Sequence, residues 1–212
     1  MSSNNKISGI YVIVDPEHTL GRDILHVVQQ VLDAGANIIQ FRDKISTNEE
    51  ISKLAYEIQK LVTSFNKIFI LNDHVNIAKN INADGVHVGQ KDMSIVKARE
   101  ILSSEQIIGS SNATLEEAII SEKNNVDYIA VGSMFMTNTK TNTRPAGIDT
   151  LIKVKSKTSK NIVAIGGINL KNCNQVIETG VDSLCIASAI TKSEDIFKSC
   201  SKFVMKFEML KG

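Results

Sequence analysis

Net charge is nearly absent from this sequence: 24 Lys and Arg stand against 23 Asp and Glu, a formal balance of +1. A chain so balanced has no general electrostatic hold on nucleic acid or on an acidic surface, although a local basic pocket stays open to it. Cysteine is scarce too. Cys173, Cys185 and Cys200 are odd in number, and no two have metal-ligand spacing. That argues against a disulfide framework or a zinc site and for reduced, buried thiols. No apolar run approaches the length of a membrane span, and residues 1–8 lack the apolar core of a secretion signal. The expectation is a cytoplasmic protein with a flexible tail over residues 1–8 and a single domain over residues 9–212.

What is present is a regular alternation. With 42% hydrophobic and 22% charged residues in a chain of 212, the composition is that of a globular domain able to bury a large core. Short β-rich apolar runs occur at 10–14, 37–41, 68–71, 85–88, 107–109, 127–131, 162–165 and 183–186. Between them lie stretches with helical spacing, such as Ile24, Val27, Val28, Val31 and Leu32, or Ile51, Leu54, Ala55, Ile58 and Val62. Thr47 with Glu50 and Thr114 with Glu117 have capping-box spacing, while Gly35 and Gly180 sit where a helix end needs a left-handed residue. The last helix is expected to bury Ile196, Phe197, Cys200, Phe203, Val204 and Phe207. Short connections between strand and helix make the strands parallel with crossover helices. Eight such units predict an α/β fold, a (β/α)8 TIM barrel with its active site at the C-terminal strand ends. An open doubly wound sheet is the rival. Polar residues following nearly every strand favour the closed ring, which brings them to one mouth.

Carboxylates gather at two neighbouring strand ends. Asn72 and Asp73 follow the run at 68–71, and Asp92 follows the one at 85–88. Mg²⁺ usually takes one or two carboxylates and completes its shell with water and substrate phosphate oxygens, so Asp73 and Asp92 are candidate ligands. Asp84 precedes its strand and is read as a turn or cap residue. His87, inside the strand, is read as a packed or hydrogen-bonded core histidine, and His18, His26 and His74 as surface residues. Gln40, Arg42 and Lys44 alternate. On a continued strand they face one way and offer an amide, a planar fork and a compact charge to a polar ring and a polyphosphate. The alternative is a solvated loop. Thr137, Asn138, Thr139 and Lys140 fall in the aperiodic stretch 132–147 and suit a phosphate or a heterocycle. Gly166-Gly167 and Ser188 follow the last two strands, where this fold often binds phosphate on exposed amides.

Taken in order, the segments Gln40-Phe41-Arg42-Asp43-Lys44, Asn72-Asp73, the run from Asp84 to Asp92, Gly109-Ser110-Ser111, Thr137 to Lys140, Ile165-Gly166-Gly167-Ile168 and Ser188-Ala189-Ile190 resemble the thiamine-phosphate synthase family. The resemblance implies a (β/α)8 barrel that joins 4-amino-2-methyl-5-hydroxymethylpyrimidine diphosphate to a thiazole monophosphate, by departure of the diphosphate and capture of a pyrimidine cation. It implies that Gln40, Phe41, Arg42, Asp43, Lys44, Asn72, Ser111 and Lys140 bind the pyrimidine diphosphate, with Arg42, Lys44, Ser111 and Lys140 acting in catalysis. Asp73 and Asp92 would hold Mg²⁺, and Thr137, Asn138, Thr139, Gly167, Ala187 and Ser188 would receive the thiazole phosphate. The implied partners are two small phosphorylated substrates, with no nucleic acid and no membrane. Ser133 and Met136 replace prolines usual in the family, His74 an arginine and Ala187 a larger aliphatic residue. A thiazole tautomerase of the related barrel family and a non-catalytic phosphate-binding barrel are the alternatives. Neither has use for Arg42, Lys44, Asp73, Asp92 and Lys140 together.

Overall fold

The computed structural model describes residues 7–136 and 144–211. Eight parallel strands pair in sequence order and close into a barrel. They are β1 (Gly9–Val14), β2 (Ile38–Phe41), β3 (Ile68–Asn72), β4 (Gly85–Val88), β5 (Ile107–Asn112), β6 (Tyr128–Gly132), β7 (Asn161–Ile165) and β8 (Ser183–Ile186). The helices are α1 (Ile24–Asp33), α2 (Asn48–Ser64), α3 (Val75–Asn80), α4 (Ile95–Ile101), α5 (Leu115–Lys123), α6 (Gly147–Lys157), α7 (Cys173–Ile177), α8 (Ser188–Thr191) and α9 (Ile196–Lys211). The expected (β/α)8 barrel is therefore the fold. None of the helices is long and apolar enough to cross a membrane among the described residues.

Strand alternation divides the core in two. Ile39 and Phe41 point outward and join Val27, Val28, Phe203 and Phe207 between barrel and helices. Tyr11, Ile13, Ile38, Ile70, Tyr128, Val163 and Cys185 point inward and fill the barrel. The Tyr128 ring lies where any side chain at Gly109 would have to go, so only glycine fits there. All three cysteines are buried free thiols.

Local signals account for most element ends. Thr47 Oγ1 accepts from Glu50 N while the Glu50 carboxylate accepts from Thr47 N, a complete capping box. At Thr114 only half of it forms: Thr114 Oγ1 accepts from Glu117 N at 3.2 Å, but Glu117 reaches to Ala113 N at 2.8 Å instead. Gly35 and Gly180 have φ of 96° and 82°, as their helix ends require.

Four differences from expectation stand out. Ile7, assigned to the leading tail, is 3% exposed and belongs to the cluster inside the barrel. Phe197 is 48% exposed, on the flank of the α9 stripe rather than in it. Strand β5 runs past Gly109 to Asn112, because Ser110 and Asn112 find partners in burial; Asn112 Nδ2 donates to Ser110 O at 3.0 Å, and Ser121 Oγ donates to Asn112 Oδ1 at 2.8 Å. The stretch 170–177, whose pattern predicts one helix, forms α7 only from Cys173, because Asn169 and Asn172 tie the preceding residues into a turn, with Asn169 N donating to Asn172 Oδ1 at 2.7 Å.

The barrel floor has a repeated fastening. The residue ahead of each even strand accepts, through its side chain, the second amide of the odd strand before it. Asn37 takes Ile10 N at 3.0 Å, Asp84 takes Phe69 N at 2.8 Å, Asp127 takes Ile108 N at 2.7 Å, and Asp182 takes Ile162 N at 2.7 Å. Asp84 is thus structural, as its place in the sequence suggests. Asp127 also receives Arg99 Nη2 at 2.5 Å. Asp127→Ala leaves the Ile108 amide without its acceptor and is expected to cost about 1–3 kcal/mol. Urea unfolding checks it: the midpoint falls at unchanged slope, and an unshifted midpoint refutes the role.

Candidate active site

Strand direction carries the polar strand-end residues to one mouth. Strand β2 stops at Phe41, although Arg42 N still donates to Val14 O at 3.0 Å, one step beyond the strand. Gln40 therefore points into the barrel, where Nε2 donates to Tyr11 OH at 2.6 Å. Phe41 points the other way and is fully buried against the helices, so its side chain cannot meet a ligand. Arg42 pairs with Asp15, which is 2% exposed and also accepts Glu17 N at 3.0 Å. Asp43 folds beneath the loop, where Oδ1 accepts from Ile45 N at 2.9 Å and Ser46 N at 3.0 Å. Burial raises its pKa, but those amides outweigh burial and hold the carboxyl below its ordinary value. Asp43 thus shapes the turn that presents Lys44.

Lys44 Nζ donates to Asp73, which also takes Asn72 Nδ2 at 2.6 Å. Asp73 is left-handed at φ 61°, a conformation that costs a non-glycine residue about 1–2 kcal/mol and is often kept at functional sites. Its pKa is raised, chiefly by burial and further by the neighbouring Asp92 carboxylate, with Lys44 opposing. Asp92 Oδ2 accepts Gly89 N at 2.8 Å. Two carboxylates thus meet at the ends of β3 and β4, one of them poorly compensated. Among the described residues no three His, Cys, Asp or Glu side chains gather to hold a metal by themselves. A pair of this kind fits a cation that draws its other oxygens from water and substrate.

Across the mouth is a cavity open to solvent. Arg42, Asp15 and His18 form one wall, Ser111 and Asn112 another, and Gly166, Gly167, Ala187 and Ser188 a third. Ile13, Ala130, Ile165 and Ile168 make much of the rest apolar. Gly166 and Gly167, at φ 98° and 69°, have no room for a side chain, since Ser133 and Phe135 pack where one would go. Phe135 N donates to Gly166 O at 3.0 Å, and Ser133 N to Arg144 O at 3.0 Å, which fixes both ends of the β6–α6 connection. Thr137, Asn138, Thr139 and Lys140 lie outside the described residues.

The sequence reading missed several residues that border the site. His18 lines the cavity instead of the outer surface, whereas His26 is exposed and His74 half-buried. Asp15, which follows the first strand and precedes Pro16, holds Arg42. Arg144 lines the cavity and forks onto Glu117 at 2.5 and 3.0 Å. Burial raises the Glu117 pKa, but Arg144 and the Ala113 amide outweigh it and hold the carboxyl down. His87 is 6% exposed, as a core histidine should be, yet Nε2 contacts Ser111 Oγ at 2.8 Å.

The comparisons with known proteins agree with this geometry. A family model described as thiamine monophosphate synthase matches residues 10–190. The thiamine-phosphate synthase of Clostridium novyi is 39% identical over 188 residues, 88% of this chain and 92% of that one. That of Clostridioides difficile is 36% identical, covering 96% and 97%. The thiamine phosphate pyrophosphorylase structure from Pyrococcus furiosus superposes with a TM-score of 0.92 at 34% identity, covering all of both chains. The chain belongs to the thiamine monophosphate synthase family.

Proposed function

We propose that this chain is a Mg²⁺-dependent thiamine-phosphate synthase of the cytoplasm, joining a pyrimidine diphosphate to a thiazole monophosphate with release of pyrophosphate. One observation carries the reading: an anchored pair of cations, Arg42 and Lys44, shares a barrel mouth with the Asp73–Asp92 carboxylate pair. A phosphate-binding site needs no such carboxylates, and an isomerase has no diphosphate to receive.

In this reading Gln40 orients the pyrimidine, and Arg42, Lys44, Asn72 and Ser111 take its diphosphate, with Lys140 joining them. Asp73 and Asp92 would hold Mg²⁺, which when bound would supply positive charge to the leaving group. Lys44, bonded to Asp73 in the free protein, is within reach of a diphosphate at the same mouth. Charge grows on the diphosphate as its C–O bond breaks, so cations fixed in advance lower the barrier most. The carbon left behind is a cation stabilised by the pyrimidine ring. The thiazole nitrogen attacks it with its lone pair, so no general base is required. The apolar wall of Ile13, Ala130, Ile165 and Ile168 keeps water from competing. Gly167, Ala187 and Ser188, with Thr137, Asn138 and Thr139, take the thiazole phosphate. The small Ala187 widens that end of the cavity.

The test mixes the protein with both substrates and MgCl₂ and measures pyrophosphate and thiamine phosphate together. Equimolar release of the two is expected. Absence of both refutes the function, and full activity in excess chelator refutes the metal.

A further inference from the structure

The barrel interior holds an unbroken line of polar contacts that the proposed reaction leaves unused. Gln40 Nε2 donates to Tyr11 OH at 2.6 Å, Tyr11 OH lies 2.9 Å from Tyr128 OH, Tyr128 OH lies 2.9 Å from His87 Nδ1, and His87 Nε2 lies 2.8 Å from Ser111 Oγ. The line runs from β2 through β1, β6 and β4 to β5. One end, Ser111, lines the cavity, and the other, the buried Gln40, is the residue assigned to the pyrimidine in the proposed reading. Tyr11 and Tyr128 are fully buried, and burial raises the pKa of both hydroxyls, so each keeps its proton to donate.

With the Gln40 amide nitrogen toward Tyr11, proton counting gives the line one direction. An amide NH₂ only donates, so the Tyr11 oxygen accepts and its proton goes to Tyr128. The Tyr128 proton then goes to His87 Nδ1. A neutral imidazole that accepts at Nδ1 carries its proton on Nε2 and donates to Ser111 Oγ. The Ser111 proton is left for the cavity that Ser111 lines. With the Gln40 amide turned over, every bond reverses, the His87 proton moves to Nδ1, and Ser111 presents lone pairs instead.

We propose that Tyr11, Tyr128 and His87 are positioning residues that transmit the orientation of the Gln40 amide to Ser111, making Ser111 a donor to the leaving diphosphate when the bound heterocycle gives an N–H to Gln40 Oε1. Binding of an amino-substituted ring at one strand end thereby sets the polarity of a hydroxyl at another. A ring that offers only an acceptor in that place selects the opposite direction and leaves Ser111 unable to donate. The inference rests on the pyrimidine diphosphate reading of the site.

Tyr128→Phe removes the central hydroxyl with little change of shape. It is expected to lower kcat about tenfold, the scale of one hydrogen bond, with KM for the thiazole phosphate within about twofold. In a Ser111→Ala background the same change is expected to alter kcat less than about twofold, because no hydroxyl remains to direct. Losses that multiply, or an unchanged kcat for Tyr128→Phe alone, overturn the proposal. Ring ¹⁵N shifts of His87 give a readout without turnover: the proton sits on Nε2 in the wild type and redistributes in Tyr128→Phe. A wild-type His87 protonated on Nδ1 overturns the direction assigned here. A wild-type chain that makes no thiamine phosphate overturns the substrate reading and the role in turnover with it, while the ¹⁵N result still decides the chain itself. Thermal midpoints of each variant separate these outcomes from loss of fold.

Discussion

Asp73→Asn is expected to lower turnover roughly 10²–10³-fold while making the metal-free protein more stable at neutral pH. The two effects have one origin. The folded-state pKa of Asp73 lies above its ordinary 3.8, because burial and the Asp92 carboxylate outweigh Lys44. Between the unfolded and folded values the native state holds the extra proton. The stability Asp73 contributes is therefore complete below the unfolded value and is lost as pH rises through the folded one. At neutral pH the charged carboxylate works against folding, and a neutral amide of the same shape relieves it. A bound cation relieves it too. MgCl₂ should raise the wild-type melting temperature at neutral pH, with the gain fading as pH falls and protons compete for Asp73. In Asp73→Asn the melting temperature should not respond. Melting curves with and without MgCl₂ across pH check this, and a variant that keeps both its metal response and its turnover excludes Asp73 as a ligand.

Arg42→Ala carries the second large effect and acts on two quantities at once. The guanidinium is expected to meet the charge growing on the diphosphate, and losing one such group costs about 10²–10³-fold in kcat. It also leaves Asp15, 2% exposed, with the Glu17 amide but without its cation. Removing one partner of a buried ion pair costs about 3–5 kcal/mol, and the 18% exposure of the Arg42 side chain puts the expected loss below that range. The double variant Arg42→Ala, Asp15→Asn removes the stranded charge. It should recover most of the stability and none of the turnover. Recovery of turnover would assign Arg42 a structural role only. Steady-state kinetics and urea midpoints on the three proteins decide between these.

The barrel was legible because each unit is local: an apolar run, a cap and a glycine stop lie within a few dozen residues, and Thr47, Glu50, Gly35 and Gly180 behave as their spacing demands. Strand-end placement followed from chain direction alone, so Arg42, Lys44, Asp73 and Asp92 were found as candidates. The partners that hold them were not. Asp15 lies 27 residues from Arg42, and Tyr128 lies 117 from Tyr11. Such pairs follow from ring closure, which no local spacing records. Asp43 and Phe41 show how neighbours in sequence part in space. They sit between site residues in sequence, but a turn consumes one and strand alternation turns the other outward. Ser110 and Asn112 lie beyond the apolar run at 107–109 and are nevertheless strand, because the upper barrel satisfies their polar groups.

The four side-chain fastenings on the barrel floor have a further consequence. They join β1 to β2, β3 to β4, β5 to β6 and β7 to β8, so a quarter turn about the barrel axis carries each onto the next. The mouth has no such symmetry, since Arg42, Lys44, Asp73 and Asp92 cluster at the ends of β2 to β4 while Gly166 and Gly167 follow β7. The molecule thus joins a fourfold base to a one-sided top. Substrate preference can drift at the rim without loosening the joints beneath, and a change at any one joint should be felt as stability, never as a change in what the enzyme accepts.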